Sequence, residues 1–319
     1  MREKTLAISL GDIRGIGPEI TLKALVHELS LKDGWRYIVY GDLDFLRNLN
    51  EKLCLGCSLE SSQITVRDTA GAAEFQEPAL RAVSWLKGAA AACMANEADA
   101  MVTAPVNKEE IILAGYHHFT GQTEYLSELA RTQDTAMMLM GQADGGGPWL
   151  RIVLATTHVR VSALAKMLSV ERVERAIRRA ADACRLLRIP RSRIGVSAFN
   201  PHAGEGGKMG DEEQRLILPA IEICRKSGIE AEGPIPADAI LRQAWKGEFD
   251  VIVSMYHDQA LPALKMVAFD TGINWTLGLP FIRVSPDHGT AFNIAERGIA
   301  SPRSMICAIE QAKLLCKKD

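Results

Sequence analysis

Short aliphatic, β-branched runs alternate along the chain with longer stretches of helical spacing, and this alternation constrains the fold more than any other feature. The runs are TLAISL (5–10), YIVYG (37–41), AMVTAP (100–105), IVLATT (152–157), IGVSAF (194–199) and VIVSM (251–255). The helical stretches are 18–29, 79–97, 170–188, 211–226, 237–246 and 302–317. Runs too short for a helix and bounded by Gly, Pro or polar residues read as buried strands. Their alternation with helices predicts an α/β fold, a mostly parallel sheet covered on both faces. One connection breaks the rule. AMMLM (136–140) and LRIVLAT (150–156) are joined by the Gly-rich GQADGGGPW (141–149), too short for a crossover helix, which predicts an antiparallel hairpin.

At 319 residues the chain exceeds the size of one ordinary domain and is expected to form two. Its 47% hydrophobic content supplies a sizeable core. A net charge of −2 argues against nucleic-acid binding, which needs clustered Lys and Arg, but leaves room for a small anionic substrate. No apolar run approaches the roughly 18 residues of a membrane span. The opening MREKTLAISLGD reads as a first strand, its apolar stretch being too short for a signal peptide. Seven cysteines without framework spacing suit a reducing, cytoplasmic compartment. Cys54 and Cys57 form a lone CxxC and read as apolar loop residues.

In open α/β sheets ligands bind beyond the carboxyl ends of the strands, so the residues that follow each run matter most. His158 follows the fourth run, His202 lies in NPHAGEGG (200–207) after the fifth, and His257 and Asp258 lie in YHDQ (256–259) after the sixth. Three imidazoles at one topological level suit a catalytic divalent metal; three independent structural histidines are the competing explanation. The turn GDIRGIGPE (11–19) carries no dinucleotide fingerprint, and its Pro18 and Glu19 suit a helix start. Lys265, Asn274 and Arg283 sit in apolar, Gly- or Pro-punctuated surroundings. A buried cation there needs a partner, and an anionic ligand is one.

The motifs TAPVNK (103–108), GQTE (121–124), NPHAGEGG (200–207), MYHDQALPALK (255–265) and GINWTLGLPFIRVSPDHGTAFNIA (272–295) resemble the 4-hydroxythreonine-4-phosphate dehydrogenase family nearly end to end. The stretch 287–302 also resembles the adenosine-binding loop of isopropylmalate and isocitrate dehydrogenases. The resemblance implies a two-lobed α/β/α sandwich of the isocitrate/isopropylmalate dehydrogenase type, with some antiparallel strands and the active site in the cleft. Residues 1–125 with 265–319 would form a first lobe carrying the cofactor loop, and 126–264 a second lobe with the metal ligands and a dimer interface.

The resemblance also implies the site. His158, His202 and His257 would bind one divalent metal, zinc first and magnesium or cobalt as alternatives, with one imidazole supplied across a homodimer. Gln122, Thr123, Asp238, Lys265, Asn274 and Arg283 would bind a small phosphorylated substrate, with Asp258 lining the same pocket. Asp287, His288, Gly289, Thr290 and Asn293 would lie along NAD or NADP. Asn293 stands where related dehydrogenases carry an acidic residue for NAD or a basic one for NADP. Lys265, ahead of Asp258, is the candidate base. Oxidation of a hydroxyl β to the carboxylate would yield a β-keto acid that loses carbon dioxide. The family's usual GHTE is GQTE here, and its GDPAGIGPE is GDIRGIGPE, with Ile13 and Arg14. Alternatives within the family are a 4-phospho-D-threonate or D-erythronate dehydrogenase and a cis-dihydrodiol dehydrogenase. A metallohydrolase or lyase that works without NAD is the rival from a different class.

Overall fold

The computed structural model describes residues 3–70, 77–143 and 146–317. The chain divides into two compact units, Met1–Gln133 with Leu279–Asp319, and Asp134–Gly278.

The first unit opens with β1 (Thr5–Ser9), α1 (Gly17–Ser30), β2 (Arg36–Tyr40), α2 (Leu43–Lys52), β3 (Ile64–Arg67), α3 (Pro78–Met94), β4 (Ala100–Thr103), α4 (Lys108–Leu113) and α5 (Gln122–Leu129). Helix starts follow local chemistry. Pro18 sits in the first turn of α1. The Asp42 side chain accepts from Phe45 N at 3.0 Å to cap α2, and Asn107 accepts from Glu110 N at 3.1 Å to cap α4.

The second unit contains β5 (Ala136–Gln142), β6 (Trp149–Leu154), α6 (Leu164–Met167), α7 (Val170–Leu186), β7 (Ile194–Ser197), α8 (Leu218–Lys226), β8 (Ala231–Ile235), α9 (Ala237–Trp245), β9 (Val251–Ser254), α10 (His257–Val267) and β10 (Ile273–Leu277). The chain then returns to the first unit with β11 (Ile282–Pro286) and α11 (Arg303–Leu315).

In the first unit the strand order is β3-β2-β1-β4-β11, with every pairing parallel. Helix α3 packs on β1, β2 and β4, and α11 packs on β4 and β11. In the second unit the order is β10-β5-β6-β9-β7-β8. Here β6, β9, β7 and β8 run parallel, while β5 is antiparallel to both β6 and β10. The expected hairpin is therefore present, although Asp144 and Gly145 of its turn lie outside the described residues.

Strand periodicity sorts the second unit's core. Met137, Leu139, Ile152 and Ile252 face one side, where Ile240, Ala260 and Leu264 of α9 and α10 cover them. On α7, Val173, Ala176, Ile177, Ala180 and Ala183 are buried at helical spacing, and this helix packs on β5, β6, β7 and β9. Leu264 and Ile252 are fully enclosed, each contributing about 1.5–3 kcal/mol by burial.

The structure corrects three expectations. The unit boundary falls after Gly278, not before Lys265, because β10 pairs with β5; Lys265 and Asn274 thus belong to the second unit. His257 is the first residue of α10, in a stretch where no helix was expected. The single helix expected over 211–226 is a π-helical turn, Glu213–Ile217, followed by α8. Strand β8 was not read from the sequence because AEGPI carries Gly and Pro, which suit only an edge strand. Among the described residues, no helix is long and apolar enough to cross a membrane.

Gly11, two residues past the end of β1, has φ +72°, and a Cβ there would meet Pro105 O at 2.3 Å. Gly34 has φ +77° with open space around it. Gly11→Ala should cost about 2–4 kcal/mol from backbone strain plus the clash. Gly34→Ala should cost about 1 kcal/mol from strain alone. Denaturant unfolding of both variants measures the difference, and equal losses would contradict the packing at Gly11.

Candidate functional site

Parallel pairing aligns the polar loops of the second unit. Past the end of β6, Ala155 N donates to Ser254 O (2.8 Å) and Thr156 Oγ1 to Met255 O (2.7 Å), so the chain beyond β6 tracks the chain beyond β9. This register brings His158 and His257 together, with ring centroids 5.5 Å apart. Gln259 secures the arrangement. Its Oε1 accepts from Met255 N (2.8 Å) and its Nε2 donates to Ala198 O at the end of β7 (2.6 Å).

His257 Nδ1 lies 2.6 Å from Asp258 Oδ1. A carboxylate on Nδ1 selects the tautomer that leaves Nε2 as a lone-pair donor, the arrangement typical of metal-bound histidine. The contact lets Asp258 orient the His257 ring. His202 is exposed on the loop after β7. Among the described residues of this one chain, no three His, Cys, Asp or Glu side chains are grouped for metal binding. The paired imidazoles and their carboxylate have the donor chemistry that a borderline divalent ion takes.

Lys265 is half-buried in the last turn of α10, with Nζ 5.5 Å from the centre of the Phe269 ring. Asp238 is exposed in the first turn of α9. Asn274 lies on β10, and its Oδ1 is enclosed without a hydrogen-bond partner among the described residues. An enclosed acceptor of this kind costs free energy until a donor reaches it.

In the first unit the central group is Arg283 on β11, only 3% exposed. Its Nη2 donates to Thr103 Oγ1 (2.7 Å) and to Gln122 Oε1 (2.8 Å), and its Nε donates to Thr103 Oγ1 (3.1 Å). Gln122 opens α5 and is itself held by donating to Ala104 O (3.0 Å). Both acceptors are uncharged, so neither cancels the cation. Burial lowers the Arg283 pKa to about 10, against the pull of Glu124, and the guanidinium stays charged at neutral pH. Thr123 is half-buried beside Gln122. Thr103 lies inside a motif noted in the sequence, but nothing in that motif indicated that its hydroxyl meets Arg283, 180 residues away. A cavity of about 570 Å³ is lined by Tyr116, His117, His118, Phe119, Glu124 and Tyr125; His117 and His118 are exposed.

The loop after β11 is braced from two sides. Ile16 N donates to Thr290 O (2.9 Å), and Gly15 is required because a Cβ there would meet the same oxygen at 2.7 Å. Arg14 lies 5.7 Å from the centre of the Phe292 ring while paired with Asp12 and Glu110. Glu19, 1% exposed, accepts from Ala300 N (2.8 Å) and Gly298 N (3.2 Å). Glu19 therefore braces this loop in addition to sitting in the first turn of α1, and Arg14 is a contact that sequence reasoning did not assign. Asp287 N donates to Ser304 Oγ (3.2 Å), His288 Nδ1 is 3.2 Å from Gly289 O, and Asn293 is exposed. Nothing lies within 4 Å of where a Cβ on Gly289 would sit, which leaves backbone open to a ligand such as a nucleotide.

A family model, Pyridoxal phosphate biosynthetic protein PdxA, matches residues 37–312. A 4-hydroxythreonine-4-phosphate dehydrogenase from a Synechococcus strain is 38% identical, covering 96% of this chain and 98% of its own. A D-threonate 4-phosphate dehydrogenase from Salmonella typhimurium is also 38% identical, covering 99% and 100%. The crystal structure of a 4-hydroxythreonine-4-phosphate dehydrogenase from Klebsiella pneumoniae superposes with TM-score 0.82 at 33% identity over 99% of this chain and 100% of that one. An isocitrate dehydrogenase from Methylococcus capsulatus, at 17% identity and TM-score 0.56 over 98% of this chain and 87% of its own, shares the fold. The chain belongs to the family of the pyridoxal phosphate biosynthetic protein PdxA and is a dehydrogenase.

Proposed function

We propose that this dehydrogenase oxidises 4-hydroxythreonine 4-phosphate with NAD, or with NADP in its place, and that the β-keto acid formed loses carbon dioxide. The observation that carries the reading is Arg283, a buried cation held by neutral oxygens beside the start of α5. Such a group recognises phosphate through charge-assisted hydrogen bonds. D-threonate 4-phosphate is the second reading, supported by relatives of equal identity.

His158, His202 and His257 would hold one divalent ion, zinc first and magnesium or cobalt as alternatives, which would supply Lewis acidity toward the substrate hydroxyl. The nicotinamide ring would accept the hydride, with the backbone from Asp287 to Asn293 carrying the nucleotide. Within the chain, Lys265 Nζ takes the hydroxyl proton. Asn274 Oδ1 accepts from a substrate donor, Asp238 offers a carboxylate to its polar face, and Thr123 adds a hydroxyl near the phosphate. Gln122 and Thr103 keep the Arg283 fork in place. Asp258 keeps His257 Nε2 available. A homodimer, in which a second chain supplies the third imidazole, reconciles a three-histidine site with the two that meet in one chain. A cytoplasmic location accords with seven cysteines that are all free.

The reading is tested with a panel of both phosphorylated acids, their dephosphorylated analogues and a cis-dihydrodiol, each with NAD and NADP, followed by reduced-nicotinamide absorbance. Turnover of the dihydrodiol alone would sink it. Arg283→Ala should lower kcat/KM for the phosphorylated acid about 10- to 100-fold, each charge-assisted bond being worth roughly 1.5–3 kcal/mol. The dephosphorylated analogue should lose little further, whereas equal proportional losses would assign Arg283 a structural role. Asp258→Asn should weaken metal affinity about 10- to 100-fold, read by chelator competition; unchanged affinity would remove Asp258 from the site.

A further inference from the structure

The segment after β7 has an unusual backbone. His202, Ala203, Gly204, Glu205 and Gly206 all lie in the left-handed region, at φ 52°, 54°, 74°, 43° and 68°. Three of the five carry a Cβ. Left-handed helical geometry costs such residues about 1–2 kcal/mol each, so the run persists only where its surroundings over-determine it.

Glu213 provides that determination. It is 4% exposed and begins the π-helical turn, a bulge that often marks functional sites. Its Oε1 accepts from Phe199 N (2.9 Å) and Asn200 N (2.7 Å), and its Oε2 accepts from Asn200 Nδ2 (3.0 Å). The same amide also donates to Glu212 Oε2 (2.7 Å). Gly204 rests against the carboxylate, since a Cβ there would meet Oε2 at 2.7 Å. Burial pushes the Glu213 pKa up, but the hydrogen bonds from Asn200 and Phe199 outweigh it and hold the carboxyl below its usual range. The clamp is therefore ionised at neutral pH, and charge-assisted bonds of this kind are roughly twice as strong as neutral ones.

A buried, ionised, multiply bonded carboxylate thus fixes a strained run whose first member is an exposed histidine. We propose that Glu213 is the positioning residue for His202: through Phe199 and Asn200 it locks the left-handed run and so aims the imidazole before a metal ion arrives. The proposal rests on reading His202 as a metal ligand. Without the clamp the run relaxes toward ordinary backbone, and ordering it falls to the binding event, which lowers affinity.

The test is zinc affinity of the apo-protein by chelator competition, with thermal unfolding recorded on each variant. Glu213→Gln should weaken zinc binding about 10- to 100-fold, the range for supports of metal ligands, with activity recovering at saturating zinc. Adding Ala203→Gly, which removes one strained Cβ, should restore part of the affinity. Asn200→Ala keeps both backbone bonds and should give a smaller loss in the same direction, and it serves alone where Glu213→Gln does not fold. His202→Ala separates the two layers of the argument. Wild-type zinc affinity in His202→Ala overturns the ligand assignment itself. Weakened affinity in His202→Ala, with wild-type affinity in Glu213→Gln or, if that variant is unfolded, in Asn200→Ala, overturns the clamp and leaves the ligand standing.

Discussion

Parallel strand pairing is the constraint on which each unit depends. A parallel neighbour cannot be reached by a tight turn, so every such strand is followed by a crossover. The loops that leave the carboxyl ends of these strands then gather along one edge. In the first unit these are the turn after β1, the segment after β4 and the loop after β11. In the second they are the segments after β6, β7 and β9. Every group with candidate chemistry on those loops is placed by this rule, and the hydrogen bonds of Thr156 and Gln259 across neighbouring strand ends bring it to side-chain resolution.

Two buried basic side chains of the first unit sit in different environments. Lys313 meets Glu28 and Asp33 directly, and Glu28 also accepts from Tyr37 (2.9 Å). That cluster carries its own counter-charge, and removing one partner would strand the other at a cost of about 3–5 kcal/mol. Arg283 is instead steadied by hydroxyl and amide oxygens, with Glu124 acting through space. The hydroxyl of Thr103 and the amide oxygen of Gln122 hold the geometry of its fork.

The loops themselves are stiffened by carboxylates aimed at backbone N–H groups. Glu19 holds Gly298 and Ala300, and Glu213 holds Phe199 and Asn200. Both are almost completely buried. Each places a buried carboxyl side chain against otherwise irregular backbone, in the segments following β7 and β11. Lys23 completes the first brace by bonding Glu19 and the carbonyls of Gly298 and Ala300.

The sequence by itself determined the fold class, most strands and helices, and the residues worth watching, because periodicity and turn chemistry are local properties. Strands at 5–9, 100–103 and 251–254 and helices such as α3 and α7 follow from apolar spacing alone. Position after the strand runs singled out the three histidines, apolar surroundings singled out Lys265, Asn274 and Arg283, and motif resemblance added the roles expected of them. Tertiary structure alone decided how these groups are used. Only strand order puts β10 beside β5 and moves Lys265 and Asn274 into the second unit. Only the pairing of β11 with β4 sets Arg283 near Thr103. That Glu213 is a clamp and that Asp258 orients His257 were invisible in the chain, because a hydrogen bond depends on where two side chains meet in space, and residue type and spacing do not encode that meeting.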